Sequence, residues 1–213
     1  MFKFTSILVV TACWFSLAVL PLHAGNIVGN PSFEAGGAFC SGGSGTHCPG
    51  QVPWIFTPGS DPAFGVASSP GFAAPGGGAK AAYFGGMTVG AYDTIYQVLT
   101  TTPGQLYNLT FWLNTSLDHS QGDFRVFWDS VMIYDDPAGT DSAHQFTYQE
   151  ITVNPLLGTG SDTLGFQGYN PPGQDAFDLV SVEAVPEPAS WMLMCIGALG
   201  LAFFRRALSN CRG

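Results

Sequence analysis

Between Asn26 and Ala184 the chain sets short apolar or alternating runs between clusters of turn residues. The clearest run spans residues 107–114. Tyr107, Leu109, Phe111 and Leu113 fall on one side of a two-residue period, and Asn108, Thr110, Trp112 and Asn114 on the other. Successive strand side chains point to opposite faces, so the first set is the expected core face. Phe124, Val126 and Trp128 likewise share a face, with Arg125, Phe127 and Asp129 opposite. Strands are predicted at 52–57, 79–84, 92–99, 105–113, 124–128, 131–134, 145–153, 163–169 and 176–183. Thr102-Pro103-Gly104, Asp136-Pro137-Ala138-Gly139 and Asn170-Pro171-Pro172-Gly173 punctuate them. Asp129-Ser130 is expected to make a tight hairpin turn. No segment here sustains a helical period. About nine strands over roughly 160 residues fit an all-β, two-sheet sandwich of jelly-roll type.

Composition narrows the class. Of 213 residues only 10% are charged, while 28 are Gly, 15 are Pro and 14% are aromatic. Disordered chains are poor in apolar residues and rich in charge, and helical bundles are poor in Gly and Pro, so both are excluded. The charge is uneven. Fourteen acids but only two bases, Lys80 and Arg125, lie between Gly25 and Val185. A surface this anionic repels phosphate backbones, which argues against nucleic acid as a partner.

The two ends read as membrane-directed segments. Residues 1–24 have the pattern of a signal peptide: Lys3, an apolar run from Ile7 to Leu20, and Leu22-His23-Ala24 at the expected cut. A permanent N-terminal anchor and a lipobox ending at Cys13 are the competing readings. Pro21 and the small Ala24 argue against the first, and the apolar stretch from Trp14 to Leu20 against the second. At the other end, Ala189 to Phe204 is a run of sixteen residues without a charge, followed by Arg205 and Arg206. As a helix it spans about 24 Å, slightly short of a hydrocarbon core of about 30 Å. Basic residues stay on the cytoplasmic side, so Lys3 and Arg205/Arg206 are expected inside and the acidic middle outside. The expected division is 1–24 signal peptide, 25–184 β-sandwich, 185–208 a tail with a transmembrane helix at 189–204, and 209–213 a cytoplasmic remnant.

Val185-Pro186-Glu187-Pro188-Ala189-Ser190, a short apolar run and Arg205-Arg206 together resemble the PEP-CTERM sorting signal of Gram-negative bacteria. The resemblance covers about residues 185–208, with Pro186, Glu187, Pro188, Arg205 and Arg206 as its motif residues. It implies recognition by an exosortase, a membrane transpeptidase-like enzyme. It also implies passage through the secretion machinery, an inner-membrane-anchored precursor, and a destination at the cell surface or in an exopolysaccharide matrix.

The middle also resembles a family. Asn26 to Glu34 is similar to the opening segment of galactose-binding-like and carbohydrate-binding jelly rolls. Residues 95–99 and 103–113 are similar to their central strands, and Ala176 to Val182 to their closing strand. That closing strand is usually written with two adjacent Asp; here the second is Leu179. The resemblance implies a structural calcium ion tying the opening segment to the closing strand, with Glu34 and Asp178 as the matching acids. No other cofactor is implied.

Chemistry beyond this is sparse. There is no nucleophile elbow, zinc-peptidase helix, phosphate loop or EF-hand loop in the sequence. His47, His119 and His144 read as exposed polar residues, and Asp118, Asp123, Asp135, Asp136 and Asp141 as loop solubility. Cys40 and Cys48 are expected to form a disulfide in an oxidising compartment; a metal site with His47 would supply at most three ligands. Sugar binding needs an exposed aromatic plane beside hydrogen-bonding groups. Trp112 with Asn108 and Asn114 meets that requirement on the polar face, and Phe127 and Tyr169 are weaker candidates. The expectation is a non-enzymatic exported surface or matrix protein with affinity for exopolysaccharide. A secreted polysaccharide-active enzyme, and a structural or adhesive protein without glycan affinity, are the rival classes.

Overall fold

The structure is a computed structural model that describes residues 25–36, 40–41, 50–68, 72–86, 88–116, 119–139, 147–171, 173–186 and 197. It is all-β. The strands are β1 (Cys40–Ser41), β2 (Ile55–Thr57), β3 (Phe64–Ser68), β4 (Lys80–Phe84), β5 (Asp93–Thr100), β6 (Leu106–Ser116), β7 (Asp123–Trp128), β8 (Val131–Asp136), β9 (Gln149–Leu157), β10 (Ser161–Tyr169) and β11 (Gln174–Ala184). They form two antiparallel sheets packed as a sandwich. Sheet A has the order β1-β3-β4-β11-β6-β9, and sheet B the order β2-β5-β10-β7-β8.

All nine expected strands have a counterpart. The first starts late, at Ile55, because Gln51 to Trp54 closes a turn with the Trp54 N–H donating to the Gln51 carbonyl at 2.9 Å. The seventh expected strand, at 145–153, becomes β9, which continues to Leu157. Two strands have no expected counterpart: β1 has only two residues, and β3 reads Phe-Gly-Val-Ala-Ser, too short and too small in side chains to show a period. The signal peptide, the tail run at 189–204 apart from residue 197, Glu187, Pro188, Arg205, Arg206, Cys48 and His47 lie outside the described residues. Among the described residues no helix is long and apolar enough to cross a membrane.

The core faces follow the two-residue period. Tyr107, Leu109, Phe111 and Leu113 are buried, as are Phe124, Val126 and Trp128. Between the sheets the rings interlock: Phe177 on β11 stacks on Phe166 of β10 at 4.4 Å and on Phe84 of β4 at 5.6 Å. It also meets Phe124 of β7 edge-on at 5.6 Å.

The turn at Asp129-Ser130 has φ of 49° and 67°, the left-handed pair that matches strand twist in a two-residue hairpin. Neither residue is Gly, but Asp129 is tied down. Its carboxylate accepts from the Thr163 N–H at 2.7 Å, and its own N–H donates to the Thr163 carbonyl.

The opening segment works as a clasp on the closing strand. Asn26 Oδ1 accepts from the N–H groups of Val28 and Val182, and its Nδ2 donates to the Val180 carbonyl. Phe33 is fully buried, stacked on Trp54 at 5.1 Å and edge-on to Phe177 at 5.4 Å.

Candidate functional site

Sheet B has an outer face that no other described layer covers. Strand register fixes what lies there. Across the sheet, Ile55 of β2 opposes Tyr96 of β5, Tyr96 opposes Gly165 of β10, and Gly165 opposes Phe127 of β7. Phe127 in turn opposes Met132 of β8. This is an apolar row with a glycine at its centre. The adjacent row is polar: Thr57, Thr94, Gln167, Arg125 and Asp135.

The missing side chain at Gly165 leaves a groove of about 340 Å³ lined by Thr94, Tyr96, Phe127, Ser130, Thr163, Gly165 and Gln167. A Cβ at 165 would touch the Cβ atoms of Tyr96 and Phe127 at 3.7 and 4.0 Å, so glycine is what keeps the floor open. Tyr96 and Phe127 are half-buried and stand two strand spacings apart, about 10 Å at the backbone. A slot with two aromatic walls, a flat floor and hydroxyl and amide groups along both edges can hold a pyranose ring. The apolar C–H faces of the sugar meet the rings, and its hydroxyls meet Thr94, Thr163 and Gln167.

One edge of the groove is braced by ionic contacts. Arg125 pairs with Asp123 at 2.7 Å and Asp135 at 3.2 Å, and its guanidinium lies 4.6 Å from the Tyr92 ring centre. Tyr92 donates its hydroxyl to Asp123 at 2.6 Å. Burial and the Asp123 acceptor push the Tyr92 phenol well above its usual range.

Trp112, Asn108 and Asn114 sit on the outer face of sheet A, all half-buried. Trp112 lies in register between Asp178 of β11 and Glu150 of β9. Part of that face is roofed by residues 72–79: Phe72 packs edge-on to Tyr83 at 5.8 Å and accepts the Tyr148 hydroxyl, and Ala81 beneath is fully buried. Of the two weaker aromatic candidates, Phe127 lines the sheet B groove. Tyr169 is buried against Tyr92 and offers no open plane.

Glu34 and Asp178 flank one glycine loop. The Glu34 carboxylate accepts the N–H groups of Ala79 and Lys80 at 2.7 and 2.6 Å, while Asp178 accepts those of Ala74 and Leu179 at 2.9 and 2.7 Å. A Cβ at Gly77 would collide with Asp178, and one at Gly78 with Glu34. Burial pushes the Asp178 carboxyl up to about 7, helped by the Glu34 charge nearby. Leu179 has φ of 51°, a left-handed conformation that Asp or Asn adopts more readily than Leu. Among the described residues no three His, Cys, Asp or Glu side chains gather around one ion position. A cation there needs backbone carbonyls beside the two acids.

His119 corrects the sequence reading. It is not an exposed loop residue but 3% exposed, held between two acids. Its Nδ1 is 3.2 Å from Asp175, and its Nε2 is 3.1 Å from the Asp136 carbonyl and 3.7 Å from the Asp136 carboxylate. Asp123 and Asp136, read as loop solubility, are buried too. Burial works against the His119 imidazolium, but the Asp175 and Asp136 partners outweigh it and hold the ring up at about 9. Burial pushes the Asp175 carboxyl up, with His119, Thr115 and Asn170 acting against that push. The cluster joins three segments at one end of the sandwich.

Comparison with known proteins fits this picture. Residues 184–206 match the PEP-CTERM protein-sorting motif. The solved structure of TmCBM61 in complex with β-1,4-galactotriose is similar, with a TM-score of 0.51 at 15% identity, covering 75% of this chain and 99% of that one. The K1 cleaved adhesin domain of Lys-gingipain from Porphyromonas gingivalis matches with a TM-score of 0.42 at 16% identity, covering 70% and 97%. The CBM36-1 domain of a multidomain xylanase from the hindgut metagenome of Trinervitermes trinervoides matches at 0.37 and 9%, covering 63% and 98%. No curated protein matches the chain. The fold is the two-sheet jelly-roll sandwich also seen in TmCBM61, and residues 184–206 carry the PEP-CTERM sorting motif, which implies an exported protein processed at the membrane.

Proposed function

We propose that this is a non-enzymatic surface or matrix protein, delivered through its PEP-CTERM tail by an exosortase, that holds exopolysaccharide in the groove of sheet B. The observation that carries the reading is the glycine-floored slot between Tyr96 and Phe127. The neutral, hydroxylated lining suits an uncharged glycan. The anionic surface disfavours a polyanionic one.

Affinity electrophoresis in the producer's own polymer tests this. Loss of one stacking ring costs about 0.5–1.5 kcal/mol, so Tyr96→Ala and Phe127→Ala each weaken retardation by up to about tenfold. Gly165→Val adds a side chain in ordinary contact with its neighbours and fills the slot, so retardation disappears while thermal stability stays. Unchanged retardation in all three variants would remove the groove from consideration. Loss on Trp112→Ala alone would move the site to the polar face of sheet A, with Asn108 and Asn114.

The calcium reading is a proposal of its own. Glu34 and Asp178, with carbonyls of the 74–80 loop, are the oxygen ligands that a hard cation would use to tie the opening segment to β11. A raised, buried Asp178 carboxyl without a described basic partner favours such an ion in charge. An ion at a hundred times its Kd stabilises the fold by about 2.7 kcal/mol. Chelation is therefore expected to lower the melting temperature by several degrees in the native protein, and Asp178→Asn to erase the difference. A melting curve indifferent to chelator and to added calcium would refute the ion.

A further inference from the structure

The two ends of the sandwich differ in charge. One end gathers Asp61, Asp93, Asp123, Asp135, Asp136 and Asp175, together with Arg125, at the starts of β5, β7 and β11 and the close of β8. At the opposite end, the β5–β6 and β9–β10 turns form a corner and carry no charge themselves. The sequence carries no charged residue from Thr94 to Leu117, nor from Ile151 to Ser161. The two turns are zipped together: the Gly104 N–H donates to the Gly158 carbonyl at 2.9 Å, and the Gly158 N–H to the Gln105 carbonyl at 2.8 Å. Asp162, beside this corner, is fully buried, its carboxylate taken by Thr101 and by the Thr159 N–H and hydroxyl. Glu183, half-buried on the departing strand β11, accepts from the Ser181 hydroxyl at 3.0 Å; exposed Asp129 lies beside Asp162, and Lys80 opens β4 at the same pole.

This corner is also where the chain leaves. The Val185 N–H donates to the Leu106 carbonyl at 2.8 Å, and the Gln105 side chain donates to the Val185 carbonyl at 2.8 Å, so the exit is strapped to the start of β6. Only Val185 to Pro188 separate Ala184, the last strand residue, from the apolar run at Ala189. Five residue steps reach at most about 17 Å. Leu106 and Leu157 are register partners at this corner, and they are 40% and 55% exposed.

We propose that this corner is a membrane-contact surface: while the tail is in the bilayer, Leu106 and Leu157 rest on a zwitterionic lipid surface. The short tether leaves the domain little room to tumble away. The two uncharged turns incur little desolvation on contact, and two exposed leucines reward it. The acidic pole then points outward, away from anionic headgroups. This inference rests on the sorting tail and is independent of the glycan groove.

The test uses the full chain in vesicles of phosphatidylethanolamine and phosphatidylcholine that carry a headgroup nitroxide quencher. A fluorescent amino acid replaces Leu157 in one variant and Val89 in another. Val89 is 57% exposed and lies between β4 and β5 at the acidic pole, a matched apolar control. Co-flotation with the vesicles reports tail insertion separately. Expected are flotation of both variants, several-fold stronger quenching at 157 than at 89, and loss of that difference on Leu106→Glu. Flotation with equal quenching at the two positions overturns the contact surface while leaving the tail intact. Failure to float overturns the tail's membrane insertion and the contact with it.

Discussion

Phe177→Ala is expected to be the most destabilising single change in the domain, at about 3–5 kcal/mol for a fully buried aromatic truncated to alanine. Phe177 is fully buried and touches rings from both sheets and the opening segment: Phe33, Phe84, Phe124 and Phe166. Each ring pair adds about 0.5–1.5 kcal/mol beyond area burial. The neighbours come from β4, β7 and β10 and cannot close the gap without moving whole strands. Urea denaturation checks the value, and Phe177→Leu, which keeps most of the volume, should cost clearly less. Equal stability of the alanine variant and the parent would mean that the two sheets are not held together by this cluster.

His119 carries the second large effect. Its removal leaves Asp175, fully buried, beside only Thr115 and Asn170. Breaking a buried pair from one side costs about 3–5 kcal/mol, because the remaining charge is uncompensated. His119→Ala should therefore lower the melting temperature by roughly 10 °C for a domain of this size. The double change His119→Leu with Asp175→Asn should recover part of it. The pH dependence has a defined sign. The folded-state value of about 9 lies above the ordinary 6.5 of histidine. The stabilisation is therefore complete below pH about 6.5 and is lost as pH rises through about 9. Melting curves between pH 6 and 10 check it. A parent whose stability is flat across that window, or a His119→Ala variant with the same alkaline decline, would show that the pair does not bear this load.

How much was legible in the sequence depends on where the partners lie along the chain. The faces of β6 and β7 were readable because the alternation is local, and Asp129-Ser130 because a turn is four residues. The strand β3 was not, since Gly65 and Ala67 carry no apolar signal. The His119 cluster was out of reach: Asp175 lies 56 positions away, and only strand pairing brings it alongside. The groove was hidden for the same reason, being built from the register of β5, β7 and β10 rather than from any one segment. A faint signal existed. Gly165 and Gly168 interrupt the otherwise good strand Leu164-Gly165-Phe166-Gln167-Gly168-Tyr169, and glycine inside a strand marks a close approach or an opening. At Gly168 it is close approach, with the Phe84 ring where a Cβ would stand; at Gly165 it is the opening. Trp112, by contrast, stands out from the alternation of its own strand.

The position of β11 bears on how the domain matures. It is the last described strand, yet it lies between β4 and β6 in the middle of sheet A and also receives the Asn26 clasp. A polypeptide threaded amino end first presents every other strand before this one. Sheet A therefore stays split into β1-β3-β4 and β6-β9 until residues 174–184 are available, and this stretch zips the halves together just ahead of the sorting motif. A chain stalled before residue 174 would expose two unpaired strand edges to proteases and to other chains in the receiving compartment.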